Sequence, residues 1–177
     1  SFSILFPFLL RNLKTSSKSK IALGLAIFII LNEAIKPFYY PALYPERYDF
    51  LSTLPLHLCN LASLFIAIFF ISKIRFFFNL SFFWGISGVL MALTQPDYPY
   101  DFPHLHFILF NFNHALLLFS IFFAFITLKN IPDFKSYQDT IFYSIPIVLV
   151  VFSINLLINF LSKNTVANYM YLIEFPL

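Results

Sequence analysis

Residues 54–60 read LPLHLCN, which sets His57, Asn60 and the only cysteine, Cys59, within four positions. A thiol becomes a nucleophile when a nearby base takes its proton, and a reacting carbonyl needs donors to hold the oxygen that becomes an anion. Donors and bases recur in residues 102–118, FPHLHFILFNFNHALLL, which carry His104, His106, Asn111, Asn113 and His114. The residue types therefore permit a nucleophilic pair of Cys59 with a histidine, with Asn60 or Asn113 as oxyanion donor. A zinc site is the other chemistry open to them, from His57, His104 or His106 and Asp97 or Cys59. None of these has the tight spacing of a zinc motif, so no metal and no cofactor is expected. No glycine-rich phosphate loop, no GxSxG elbow and no basic nucleic-acid patch is present.

The elements that position these groups are membrane helices. The 177 residues are 60% hydrophobic and 11% charged, with a mean hydropathy of +0.82, whereas globular chains carry about 25% charged residues. A span needs about 20 mostly apolar residues. Five stretches come close, 21–35, 55–71, 76–93, 105–128 and 141–161, and a truncated apolar segment precedes them. The reading is an all-α, polytopic transmembrane helix bundle of about six helices, one integral membrane domain over 1–177, cut at both ends. Its expected location is the cell membrane, its partners membrane lipids, with no nucleic acid; a protein partner is left open.

Lysine and arginine number eight in the loops around 11–20, 73–75 and 129–139, against three in the alternate connections. By the positive-inside rule the first set is cytoplasmic. All four histidines then fall at the outward ends of the helices. Intramembrane ionisable groups are costly and face a bundle interior or a wet cavity, so one outward-side pocket is expected. Ser52 or Thr53 with Pro55, and Asp101 with Pro103, read as helix starts. From those starts Cys59 lies roughly 6 Å deep and His114 roughly 16 Å, which makes His106 the easier match for Cys59. His106 and Asn113, seven apart, share a helix face; Asn111 and His114 are neighbours.

Plainer roles compete for each residue. A lone buried cysteine commonly packs as a small hydrophobe. Glu33 can pair with Lys36 and snorkel to the interface. Asn155 and Asn159, four apart, suit interhelical glue, and the tyrosines flanking the outward loops suit an aromatic belt. Trp84, Gly85 and Gly88 mark close helix packing beside the polar groups.

LPLHLCNLA, FFWGISGVLMALTQPD, FPHLHFILFNFNHALLL and NYMYL, in this order between about Leu51 and Leu172, resemble the bacterial YwaF-like integral membrane proteins. That family is related to the eukaryotic transmembrane protein 164 acyltransferases. The resemblance implies a multi-helix bundle with a further helix after NYMYL. It also implies transfer of fatty acyl groups between phospholipids through a cysteine and a histidine, the histidine falling on His114. The eukaryotic pattern has its cysteine where this chain has Leu56, so Cys59 stands about one turn away. The combined expectation is a lipid acyltransferase or hydrolase pocket with His114 as base, Cys59 as nucleophile and His57 assisting. Asn60, His104, His106, Trp84 and Asp97 would contact the substrate. The alternative is a non-catalytic substrate-binding or transport component.

Overall fold

The computed structural model describes residues 2–94, 100–162 and 166–174. Among them there are six α-helices and no strand: α1 Phe2–Leu10, α2 Thr15–Leu43, α3 Leu58–Ser72, α4 Arg75–Thr94, α5 Leu105–Phe122 and α6 Phe134–Leu161. A π-helical turn, Phe123–Thr127, continues α5, and a 3-10 turn, Tyr169–Tyr171, follows α6. Four spans are long and apolar enough to cross a membrane: α2, α4, α6, and α5 with its π turn. At 15 residues α3 is shorter.

Burial periodicity explains the packing. On α2 the buried positions Ala22, Ala26, Ile29, Glu33 and Lys36 step by 4, 3, 4 and 3, one continuous helix stripe. That stripe meets α3, which also packs on α4 and α5; α4 in turn meets α5 and α6. Glycines let the helices approach. A Cβ on Gly85 would collide with Ile121 of α5, and one on Gly88 would lie 2.8 Å from the Cys59 sulfur. The opposite face of α6 exposes Phe142, Ile145, Leu149, Leu157 and Phe160, the surface expected against lipid tails. Helix α1 is tied to the end of the α5 span, where the Thr127 hydroxyl donates to the Pro7 carbonyl at 2.8 Å.

Two helix starts differ from the sequence expectation. Helix α3 begins at Leu58 with His57 as N-cap, so Ser52, Thr53 and Pro55 lie before it. Ser52 and Thr53 instead close a turn on Asp49, the Thr53 hydroxyl reaching the Asp49 carbonyl at 2.9 Å. Helix α5 begins at Leu105 with His104 as N-cap, its ring accepting from the His106 amide. Both prolines fit extended backbone as well as a first helical turn, which is why they misplace the boundary. Helix α2 also runs past 35 to Leu43 despite Pro37 and Pro41.

Beyond α6 the chain turns back. Asn155 donates to the Tyr169 carbonyl and accepts from the Tyr169 amide, both at 2.9 Å. One turn later Asn159 does the same with Ala167, at 3.1 and 2.6 Å. These asparagines therefore glue main chain to a helix, not helix to helix. The Tyr169 hydroxyl donates to the Leu51 carbonyl and accepts from the Leu54 amide at 3.0 Å. Burial pushes this phenol above its ordinary pKa, so it stays a donor throughout the physiological range.

Candidate functional site

Alternating helix directions bring the ends of α2, α4 and α6 together with the starts of α3 and α5. Between them lies a cavity of about 840 Å³. Its polar wall comes from Glu33 and Lys36 of α2, Cys59 and Asn60 of α3, and His106, Asn113 and His114 of α5; its apolar part includes Gly88, Leu117 and Val148. The positions His106, Phe110, Asn113 and Leu117 step by 4, 3 and 4 and all line it, so one face of α5 is the cavity face. Asn111 points elsewhere and donates to the Phe107 carbonyl of its own helix at 2.9 Å.

Cys59 and His114 line the same cavity although they lie at different distances from their helix starts. Cys59 is the second residue of α3, and the non-helical residues 51–57 fold in beside it, with Ser52, Thr53, Leu54 and His57 lining the cavity. The first amides of a helix have no partner four residues back and sit at the positive end of its dipole. His57 makes no side-chain cap bond to them, so this end of α3 suits an oxyanion.

His114 is oriented by its own helix. Its Nδ1 lies 2.8 Å from the Phe110 carbonyl, which can only accept, so Nδ1 carries the proton and Nε2 holds the lone pair. Asn113 accepts from the Asn32 amide at 2.9 Å, which fixes its oxygen and leaves the amide N–H groups as donors.

His57 and His106 line the cavity in different settings. The Met170 amide reaches Nδ1 of His57 at 3.4 Å, and the Tyr169 ring lies edge-on at 5.1 Å. His106, only 4% exposed, meets the Tyr48 hydroxyl at 3.0 Å. Rings of Tyr40, Tyr44, Tyr48 and Tyr100 surround it at 5.3–5.8 Å. These tyrosines pack on one another and on histidine rings, where the sequence suggested a belt facing headgroups. Met170, Tyr171 and Leu172 complete the wall.

Two expected contacts are placed elsewhere. His104 caps α5 and stacks on Tyr100 at 4.0 Å, outside the cavity lining. Trp84 donates its indole N–H to Ser144 of α6 at 2.8 Å and joins α4 to α6. Asp97 lies outside the described residues. Among the described residues no group of three His, Cys, Asp or Glu side chains is placed to hold a metal.

One pair of the cavity wall was named in the sequence but is placed differently. Glu33 is 2% and Lys36 6% exposed, joined at 2.6 Å, with Asn60 donating to the second carboxylate oxygen at 2.8 Å. The pairing was expected; snorkelling to the interface was not what followed. The signal was the stripe itself, since Glu33 and Lys36 continue the spacing of Ala22, Ala26 and Ile29.

A family model described as the TMEM164 family matches residues 1–176. No curated protein and no solved structure shows a match.

Proposed function

Because this chain belongs to the TMEM164 family, we propose that its cavity is a lipid acyl-transfer site, with Cys59 as nucleophile and His114 as general base. One observation carries the reading: Cys59 and His114, from different helices, line a single cavity whose lining mixes polar and apolar side chains. Nε2 of His114 would take the thiol proton as sulfur attacks the ester carbonyl of a donor lipid. The ester C–O bond then breaks, and the leaving lyso-lipid oxygen recovers that proton. An acceptor hydroxyl next gives its proton to Nε2 and attacks the thioester, and the C–S bond breaks as sulfur is reprotonated. The amide end of α3 and the Asn113 amide would hold the oxyanion at each stage.

The test is acyl exchange between a labelled phospholipid and a lysolipid in nanodiscs, followed by mass spectrometry. Cys59→Ala and His114→Ala should each lower it by 10² or more, about the scale for losing a nucleophile or its base. Exchange surviving in Cys59→Ala would sink the thioester route. A second reading, a ligand-binding or transport pocket without turnover, is favoured by one detail: among the described residues no hydrogen bond joins Cys59 to His114. It predicts retention of the labelled lipid with no covalent change.

A further inference from the structure

The acyl-transfer reading uses Cys59, His114 and their donors, and leaves the Glu33–Lys36 pair without a role. Such a pair is not a cheap ornament. A buried charge pair inside a membrane span costs desolvation that its attraction offsets only with good geometry. Here that geometry is built. Both carboxylate oxygens of Glu33 are held, one by Lys36 and one by Asn60, and Asn60 directly follows Cys59 in the first turn of α3. Pro37 has no N–H to donate to the Glu33 carbonyl, and Lys36, just before it, lines the cavity. Only one of its three ammonium N–H groups is engaged by a protein acceptor among the described residues.

We propose that Lys36, held by Glu33, is a positioning residue that supplies a fixed positive charge to the anion formed at Cys59. Its purpose rests on the acyl-transfer reading; its test does not. Lys36, Cys59 and His114 line the same cavity, and the carboxylate that holds the Lys36 ammonium is also held by Asn60, the residue after Cys59. In a low-dielectric site a cation beside a thiolate raises the thiolate fraction and hence the rate of attack. Glu33 therefore has two opposed effects: it anchors Lys36 and it partly cancels the charge. The other charged or titratable groups on the cavity wall are Arg47, His57, His106 and His114 and the phenols of Tyr40, Tyr48 and Tyr171.

This arrangement predicts opposite signs for the two partners, which a purely structural pair would not give. Cys59 is the only cysteine of the sequence, so alkylation by iodoacetamide, read by intact mass in nanodiscs, reports one site. Lys36→Met should slow alkylation about tenfold, roughly the thiolate loss on removing one adjacent cation. Lys36→Arg should stay within about threefold of the parent, and Glu33→Gln should be faster than the parent. Should Lys36→Met not fold, the neutral pair Glu33→Gln/Lys36→Met should show the same slowing. Equal slowing in Lys36→Arg and Glu33→Gln, or an unchanged rate without the lysine, would overturn the proposal. Alkylation that follows these signs in a protein without acyl exchange would retire the enzyme reading and leave the charge assignment standing.

Discussion

On α6, Asn155 and Asn159 use both ends of their amides on main chain, and Asn155 is fully buried. Across the bundle, Lys36 and His114 face a cavity, with donors or a lone pair left over. Both regions bury polar groups in an apolar bundle, yet one is closed and the other open. The closed region exchanges polarity for order: it docks a returning segment that would otherwise leave buried main-chain groups unpaired. The open region keeps unspent hydrogen-bonding capacity where a ligand can reach it. Polarity inside a membrane is thus no guide to chemistry until its partners are counted.

The comparison breaks if the closed region can be removed without structural cost. Asn155→Ala should therefore have the largest effect on stability, about 2–4 kcal/mol, since it leaves a buried carbonyl and a buried amide of Tyr169 unsatisfied. Thermal unfolding in detergent would measure it, with the intrinsic Cys59 alkylation rate in the still-folded protein changing far less. Tyr169→Phe is the intermediate case. It cuts the tie to Leu51 and Leu54 and should cost about 1–2 kcal/mol; hydrogen exchange would locate the loosening in residues 51–57. Gly88→Ala sharpens the contrast from the other side. Its new methyl would meet the Cys59 sulfur and the Leu58 side chain, so alkylation should fall by about threefold while the melting temperature shifts least of the three, since both contacts are made by side-chain ends that can rotate.

The two regions also differ in how far they were legible in the sequence. Apolar length located the helices, and the seven-residue spacing put His106 and Asn113 on one face of α5, whereas Asn111 and His114, read as neighbours, part company: of the two only His114 lines the cavity. The start of α3 was not legible, because Pro55 suits an extended approach as well as a first helical turn. Asn155 and Asn159 showed their shared face by spacing but not their partner, since a main-chain acceptor leaves no mark in side-chain pattern. Trp84 and His104 were drawn to the site by residue type; an indole N–H bond to Ser144 and a ring stacked on Tyr100 show that the same types also serve packing. Glu33 and Lys36 were read as a helix-end pair, although their register with Ala22, Ala26 and Ile29 was visible.

The 15 residues of α3 have a consequence for the bilayer itself. They rise about 22 Å, against a hydrocarbon thickness of about 30 Å. With the shortfall at the end carrying Cys59, the expected response is a leaflet boundary drawn down toward the sulfur. Mismatch of this kind is relieved by thinning the membrane, and a lipid ester then needs less vertical travel to reach the thiol. Bilayer thickness becomes a control on encounter: discs of shorter-chain lipid should raise Cys59 alkylation by a polar reagent, and equal rates across chain lengths would show that the leaflet does not dip.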